Sequence, residues 1–237
     1  YLSSRMIEGK LYLVSDCWLN YFDTYEKGGI PEFAPIYTVN GEKHYVSSGD
    51  IFVPDDEGDI WGYTNLSLIN TREQCRPIGI KTFLGESSEI YQTAERLYLV
   101  GSSYGLTDEN DDKSWGYKTR LISFDTQDGK LEPMASGMIN GNVKDKYSLS
   151  YRNGVLSVVV NEESYDDDTY EFLRNNYLYN LDEELEVLGK SESFGDGEVV
   201  KSVTYKDGYA YVVTFMQTDP LFAIDLSDPK NPEIVSE

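Results

Sequence analysis

The chain has 237 residues, of which 40% are hydrophobic and 14% aromatic, and its 42 acidic and 20 basic residues give a net charge of −22. This apolar content supports a folded core and excludes bulk disorder, whereas the negative charge argues against nucleic acid or an anionic membrane as a partner. The single histidine, His44, excludes metal sites built from several histidines and most serine–histidine or cysteine–histidine catalysis, and no apolar run is long enough to predict a transmembrane helix.

Four hairpins recur along the chain, each made of an apolar strand, a short polar turn and a second strand that alternates aromatic and aliphatic residues. Asn153-Gly154 and Asp207-Gly208 in two of the turns favour tight hairpins, because both central residues of such turns adopt positive φ. The predicted turns lie at 8–10, 94–96, 152–154 and 206–208, and the strands that follow them at 11–14, 97–100, 155–160 and 209–213.

A third strand follows each hairpin after a gap of variable length, and a fourth strand then returns. Four antiparallel strands in each repeat describe the blades of a β-propeller, whereas a β-sandwich would not require the same hairpin four times. The sequence therefore predicts an all-β fold, a β-propeller segment of about four four-stranded antiparallel blades, with helices only in insertions. The predicted blades are at approximately 1–86, 87–142, 143–197 and 198–237, and a long insertion in the first blade is at 16–62.

Three segments carry a family resemblance, which extends over nearly the whole chain. Residues 1–7 are similar to a segment that leads into a strand in one family, and residues 197–203 and 211–229 match the sequence of that family most specifically. They resemble the bacterial beta-propeller domain family of secreted proteins, which is distantly related to WD-40 repeats. The resemblance implies an exported protein, extracellular or associated with the cell surface, that has no established catalytic residues and continues beyond the segment in hand.

Most of the negative charge lies in the gaps between second and third strands, which a propeller places on one face. The gaps at 16–62, 103–117, 161–175 and 215–219 together hold 21 acidic and 4 basic residues, a net charge of −17, which leaves −5 for the rest of the chain. We expect this acidic insertion face to contact a cationic ligand or metal ions, and the alternative is that these are solvated loops.

The acidic clusters at 108–112 and 166–168 are candidates for calcium, because hard cations take several oxygen ligands. Asp108, Asn110 and Asp112 match the first three ligand positions of an EF-hand loop, but Lys113 stands where glycine is needed and Thr119 where glutamate is expected. A true EF-hand is therefore rejected. We expect no cofactor, and the alternative is a looser calcium site whose candidate ligands are Asp108, Asn110, Asp112, Asp166 and Asp168.

Ten aromatic residues lie in or beside the long insertion, and two interpretations of them remain open. They could pack the insertion onto the blade as a satellite core, because a structureless loop of that length is uncommon. They could instead form an exposed patch for a peptide or a sugar. The candidate ligand-binding residues are Trp18, Tyr21, Phe22, Tyr25 and Trp61, and the other aromatics are Phe33, Tyr37, Tyr45, Phe52 and Tyr63.

A propeller has a central channel that its inner strands line. An enzyme would need paired carboxylates near the mouth of that channel, as in glycoside hydrolysis. Glu89, Asp145 and Glu198 lie at or just before predicted inner strands, but Lys146 and Lys201 stand beside two of them and could pair with them. No motif supports catalysis. We therefore expect a non-catalytic binding or interaction scaffold, with a calcium- or carbohydrate-binding module as the alternative and a glycoside hydrolase as a weaker one.

The expected partners are a protein or a glycan, without nucleic acid or membrane insertion. The chain begins without methionine and stops inside an apparent strand at 233–236, which indicates a segment of a longer protein. We expect an arc of blades that further sequence completes or that self-association shields. Cys17 and Cys75 are predicted to lie at opposite ends of the first blade, too far apart for a disulfide, and hence to be unpaired.

Overall fold

A computed structural model describes residues 3–18, 35–53, 62–73, 77–85, 87, 89–108, 111–166, 172–216 and 220–237. The chain divides into two compact units, of which the first contains Tyr1–Gly101 and Phe124–Pro133 and the second Ser102–Ser123 and Met134–Glu237. The described residues are mostly in antiparallel strands, which confirms the predicted all-β fold. The number of blades stays a prediction.

The strands of the described residues are numbered in chain order. The first eleven are β1 (Ser3–Ile7), β2 (Lys10–Trp18), β3 (Ile36–Val39), β4 (Glu42–Tyr45), β5 (Ile51–Phe52), β6 (Gly62–Asn70), β7 (Pro77–Leu84), β8 (Glu89–Gln92), β9 (Arg96–Asp108), β10 (Asp111–Asp125) and β11 (Glu132–Asn140). The others are β12 (Leu149–Arg152), β13 (Val155–Asp166), β14 (Phe172–Leu181), β15 (Val187–Lys190), β16 (Val199–Lys206), β17 (Tyr209–Phe215), β18 (Leu221–Asp225) and β19 (Glu233–Ser236).

In the first unit, β1, β2, β6 and β7 pair in that order as antiparallel neighbours, and the two-residue β5 adds to β7 in parallel. The turn between β1 and β2 is the predicted one, with φ of 50° at Glu8 and 81° at Gly9. Alternate residues of β2, such as Tyr12 and Val14, are fully buried, as the period of two along a half-buried strand requires.

Part of the long insertion packs on this sheet. The Phe52 ring stacks on Phe83 with ring centroids 5.0 Å apart, and the Lys81 Nζ lies 2.7 Å from Asp50 Oδ1. The Tyr63 hydroxyl accepts a hydrogen bond from the Ile36 backbone N–H at 3.3 Å. These contacts agree with the satellite-core interpretation for the part of the insertion that the structure describes.

The same insertion contains a hairpin that our sequence analysis missed. Strands β3 and β4 pair through a turn at Asn40-Gly41, whose φ values are 52° and 86°. An Asn-Gly pair between alternating residues is a strong hairpin signal, so this element could have been recognised from the sequence.

In the second unit, β16 to β19 form a four-stranded antiparallel sheet in chain order. Its first turn, Asp207-Gly208, has φ of 53° and 86° as predicted. Ala210, Val212, Phe222 and Ile224 of this sheet pack with Leu178 of β14 in one buried cluster. This cluster is a core of the second unit.

The gaps at 103–117 and 161–175 are largely strand, which corrects their interpretation as loops. Strand β9 continues to Asp108 and β10 starts at Asp111, while β13 continues to Asp166 and β14 starts at Phe172. The pairing persists because side chains such as those of Tyr165 and Phe172 stand directly opposite each other, and cross-strand pairs of this kind stabilise a ladder beyond the core.

The expectation that helices occur only in insertions is also wrong. Short 3-10 helices occur at Ser48–Asp50 inside the long insertion, but also at Gln127–Gly129 and Lys146–Ser148 between strands. Asp145 caps the last of these, because its Oδ1 accepts the Tyr147 N–H at 2.9 Å. A short polar cap of this type favours a tight helical turn wherever it occurs.

Of the two cysteines predicted to be unpaired, the structure describes Cys17. Cys17 lies at the exposed end of β2 with a free thiol, opposite Tyr63 of β6. Cys75 lies outside the described residues, and its state stays a prediction.

Candidate functional site

An exposed aromatic surface covers the extended ends of β9, β10, β13 and β14 in the second unit. The Tyr104 and Trp115 rings are stacked, with centroids 6.2 Å apart and planes 24° apart. The Tyr117 ring meets Tyr104 edge-on, with centroids 5.2 Å apart and planes at 71°. The exposed fractions are 57% for Tyr104, 38% for Trp115 and 43% for Tyr117, so three rings contact each other and solvent together.

The strand register extends this surface to two further rings. Trp115 stands opposite Tyr165, and Tyr165 stands opposite Phe172, which is 56% exposed. Because directly opposed residues of antiparallel strands share one face of the sheet, all five rings lie on the same face. We call this set, Tyr104, Trp115, Tyr117, Tyr165 and Phe172, the aromatic surface.

An ion pair borders the aromatic surface on the same face. The Arg174 Nε donates to Glu163 Oε1 at 2.7 Å, and these two residues are opposed in the register. The Arg174 guanidinium also lies 5.4 Å from the centroid of the Phe172 ring. A cation of the chain therefore already contacts one ring, with its charge balanced by a neighbouring carboxylate.

Gly116 allows β10 to approach its neighbours closely at this point. A Cβ atom on Gly116 would lie 2.4 Å from the Glu163 carbonyl oxygen and 2.7 Å from Thr107 Cγ2. Thr107 in turn donates a hydrogen bond from its hydroxyl to Ser114 Oγ at 2.9 Å, across the β9–β10 pair. The absent side chain therefore permits the alignment of strands that groups the aromatic rings.

Replacing Gly116 by alanine is expected to reduce the free energy of unfolding by about 1–3 kcal/mol, because the new methyl group overlaps a backbone carbonyl that must shift. Urea unfolding measures the loss, and faster amide hydrogen exchange at Trp115 and Ser164 would locate it. Gly105→Ala is the matched control, since nothing lies within 4 Å of a Cβ there. An equal effect of both variants would contradict the steric explanation.

A buried amide network lies further along the same strands. The Asn176 side chain is fully buried, and its Nδ2 donates to the carbonyl oxygens of Phe194, Gly195 and Glu198 at 3.0, 3.1 and 3.2 Å. Its Oδ1 accepts from Asn161 Nδ2 at 2.9 Å. The network ties the segment before β16 to β13 and β14.

Lys190, Glu162 and two tyrosines form a second cluster of cation and rings. Lys190 Nζ lies 3.5 Å from the Tyr177 ring centroid and donates to Glu162 Oε1 at 2.8 Å, and the Tyr179 hydroxyl donates to the same oxygen. Burial, followed by the charge of Glu162, raises the pKa of both Tyr177 and Tyr179. These tyrosines therefore stay neutral well above physiological pH.

Of the predicted ligand-binding aromatics, only Trp18 lies among the described residues. It ends β2 and is 67% exposed, as a binding role requires, and it stands opposite Gly62. Tyr21, Phe22, Tyr25 and Trp61 lie outside the described residues, so their role stays a prediction.

The predicted calcium ligands fall at the ends of the long strands. Asp108 ends β9, Asp112 is the second residue of β10 and Asp166 ends β13, whereas Asn110 and Asp168 lie outside the described residues. Among the side chains that the structure describes, no group of three or more His, Cys, Asp or Glu residues could hold a metal ion. The calcium site stays a prediction.

The three carboxylates considered for catalysis have different surroundings. Glu89 opens β8 in the first unit, whereas Asp145 and Glu198 belong to the second. Partial burial raises the pKa of Asp145, but hydrogen bonds from Lys144 and from the Tyr147 and Ser148 backbone outweigh it, and the pKa lies below its usual value. The Glu198 Oε2 accepts a hydrogen bond from the buried Thr214 hydroxyl.

The lysine beside Asp145 is not the one expected. Lys144 Nζ lies 2.7 Å from Asp145 Oδ2, whereas Lys146 lies over the Tyr147 ring at 5.2 Å, and Lys201 lies over Phe215 at 5.3 Å. Asp145 is thus an ion-paired helix cap. The expectation that the protein is not an enzyme stays a prediction.

The residues of the aromatic surface were not among the predicted ligand-binding residues. A signal for them existed, because Trp115 and Tyr117 alternate with Gly116 and Lys118, which is the period of a strand with one aromatic face. The strand pairing that joins them to Phe172 spans 57 positions in the chain and could not be read from local pattern.

Comparison with known proteins identifies one relative that aligns with the whole chain and one that aligns with half of it. It is 25% identical over 304 aligned positions to an uncharacterised protein of the archaeon Methanocaldococcus jannaschii, an alignment that covers 100% of this chain and 47% of the relative. It is 38% identical over 120 residues to an uncharacterised protein of Archaeoglobus fulgidus, which covers 51% of this chain and 17% of that relative. The chain thus spans less than half the length of these relatives.

Solved structures offer weaker likenesses. Two structures of an apocarotenoid oxygenase of Synechocystis, one of them cobalt-substituted, each have a TM-score of 0.38 with 10% and 9% identity. The match covers 76% of this chain and 44% of the oxygenase. At that TM-score we infer neither fold nor function from the similarity.

The family assignment rests on a match to the full length of the sequence. The model of the family described as "Beta propeller domain" matches residues 1–237, and the repeated hairpins and antiparallel sheets agree with it. In the described residues, no helix is both long and apolar enough to cross a membrane. The full-length match shows that the chain belongs to the beta-propeller domain family.

Proposed function

We propose that this protein is an exported, non-catalytic β-propeller that acts as a binding scaffold, and that the aromatic surface is its contact site. The observation that carries the proposal is the group of four exposed rings, Tyr104, Trp115, Tyr117 and Phe172, on one face of paired strands. Aromatic residues are enriched at interfaces, and exposed apolar patches mark sites of interaction. Export is part of the proposal through the family resemblance alone.

The position of the surface supports a binding role over a packing role. Rings that only stabilised the sheet would be covered, as Tyr12 and Phe124 are in the first unit. These four rings instead lie on strands that extend beyond the buried core, in two segments that the sequence marks as insertions. Insertions on a rigid scaffold commonly carry function, and here they carry aromatic residues held in register by the ladder.

Binding arrays of peptides and of glycans test the proposal on the 237-residue chain. We expect one class of probe to bind the unaltered chain and to lose most of its signal with Trp115→Ala or Phe172→Ala. Two exposed residues elsewhere give matched controls, Tyr147→Ala at 65% exposure and Phe215→Ala at 41%, which should bind normally. Signals that are absent, or that are the same in all five proteins, would refute the proposed site.

A further inference from the structure

We infer that the aromatic surface binds a cationic segment of a partner protein, one rich in arginine or lysine. The inference rests on the proposed function and names the chemistry of the ligand. Four observations support it: the arrangement of the rings, the position of Arg174 on the same face, the charge of the segments that carry the surface, and the size of the surface.

The rings offer faces that attract a positive charge. The face of an aromatic ring is electronegative, and a cation within about 6 Å of the centroid is attracted to it. The Tyr104 and Tyr117 rings meet edge to face at 71°, and the Trp115 ring is stacked on Tyr104. Among the side chains that the structure describes, no lysine or arginine lies over these three rings, whereas Arg174 covers Phe172 and Lys190 covers Tyr177.

Arg174 shows how a guanidinium fits this face. It lies over Phe172 at 5.4 Å while its Nε pairs with Glu163 at 2.7 Å. Because Glu163 balances its charge, Arg174 adds no net repulsion against a second cation. A partner's arginine on Trp115 or Tyr104 would repeat a contact that the chain already makes with itself.

The net charge of the two sequence segments that carry the surface selects the sign of the partner. Segments 103–117 and 161–175, which carry the surface, hold ten acidic and two basic residues, a net charge of −8. A second copy of the same surface would bring like charges together, and nucleic acid or an anionic membrane would be repelled as well. A basic segment is complementary in sign, which raises the association rate and the specificity of binding.

The size of the surface favours a chain segment over a small cation. It crosses four neighbouring strands in the order β9, β10, β13 and β14, and three inter-strand spacings amount to about 14 Å. That distance corresponds to roughly four residues of extended chain. A basic segment of five extended residues could therefore place its first and fifth side chains, which lie on the same face of the chain, at the two sides of the surface.

Isothermal titration of the 237-residue chain tests the inference with three defined probes. These are a ten-residue peptide of alternating arginine and glycine, the same peptide with glutamate in place of arginine, and cellohexaose. We expect the arginine peptide to bind, with affinity that falls as salt rises, and the glutamate peptide not to bind. Tyr104→Ala and Trp115→Ala should each weaken binding about tenfold, the loss of one well-placed cation–π contact.

Two further variants test the contribution of the acidic charges and the specificity of the effect of removing a ring. Asp111→Asn combined with Asp112→Asn should weaken binding of the arginine peptide about threefold, since it removes two of the ten acidic charges, and Tyr147→Ala should leave it within about twofold. Unchanged thermal midpoints of all variants establish that each still folds.

The outcomes distinguish this inference from the function on which it rests. Failure of the arginine peptide to bind, or equal binding by Trp115→Ala, overturns the inference. If cellohexaose binds instead and the ring variants abolish its binding, the cationic partner is refuted while the aromatic surface remains a binding site. If neither probe binds and the array signals are independent of the rings, both are refuted.

Discussion

Replacing Asn176 by aspartate is expected to destabilise the second unit by about 3–5 kcal/mol at neutral pH, the cost of a buried charge without a compensating partner. The Asn176 amide donates to the carbonyl oxygens of Phe194, Gly195 and Glu198. A carboxylate in its place would have no hydrogen to donate and would face three carbonyl oxygens. Its one favourable contact would be the hydrogen bond from Asn161.

The pH dependence of this variant provides a second test. Because burial and the facing carbonyls disfavour the charged form, the new aspartate should have a raised pKa in the folded protein. The stability deficit should therefore be smallest below the unfolded pKa of about 3.9 and should grow as the pH rises above it. Urea unfolding of both proteins at pH 4 and pH 7 measures the two deficits.

Asn142→Asp is the matched control for the buried amide. Its Oδ1 accepts a hydrogen bond from the Ser102 hydroxyl at 3.0 Å in an exposed position, and a carboxylate accepts that bond equally well. We expect a change of less than about 0.5 kcal/mol, as is usual for surface substitutions. A deficit for Asn176→Asp no larger than that of Asn142→Asp, or independent of pH, would show that the network contributes little.

The second large effect is expected in alkaline solution. Burial and the neighbouring Cys17 thiol raise the pKa of Tyr63 from its ordinary value of 10.0 to about 12, although the hydrogen bond from the Ile36 N–H acts in the opposite direction. Burial likewise raises the pKa of Tyr12, whose hydroxyl donates to the Lys130 carbonyl oxygen at 3.2 Å. Tyr177 and Tyr179 shift in the same direction.

The sign of the effect follows from the protons bound in each state. Between pH 10 and pH 12 Tyr63 ionises in the unfolded chain but keeps its proton in the folded one, and the raised pKa values of the other three tyrosines act in the same direction. The stability that they contribute is therefore fully present below pH 10 and is lost as the pH rises through the folded pKa. For Tyr63 alone the loss approaches about 1.4 kcal/mol per pH unit in this window.

Unfolding by urea at a series of pH values from 8 to 11.5 measures this loss. Tyr63→Phe should show a shallower decline above pH 10 than the unaltered chain, whatever its stability at pH 8, because one titrating group is removed. Tyr147→Phe replaces an exposed tyrosine and should follow the unaltered chain, while ionisation of lysines is common to all three proteins. A slope unchanged by Tyr63→Phe would contradict the assignment.

Local sequence determined the hairpins of this protein. Glu8-Gly9, Asn153-Gly154 and Asp207-Gly208 adopt the positive φ values that such turns require, and the turns set the register of the strands on either side. Alternation of aromatic and aliphatic residues then identified strands such as β2 and β17. Asn40-Gly41 inside the long insertion is the same kind of turn signal, and its two residues also have positive φ.

Only the tertiary structure decided that segments 103–117 and 161–175 continue as paired strands and that they carry an exposed aromatic surface. Trp115, Tyr165 and Phe172 lie far apart in sequence and meet only because β10, β13 and β14 continue their pairing past the core. The close approach at Gly116 and the carbonyl partners of Asn176 are likewise set by packing between distant segments. Local propensity acts over a few residues, whereas a surface shared by four strands depends on long-range pairing that each strand's own sequence leaves open.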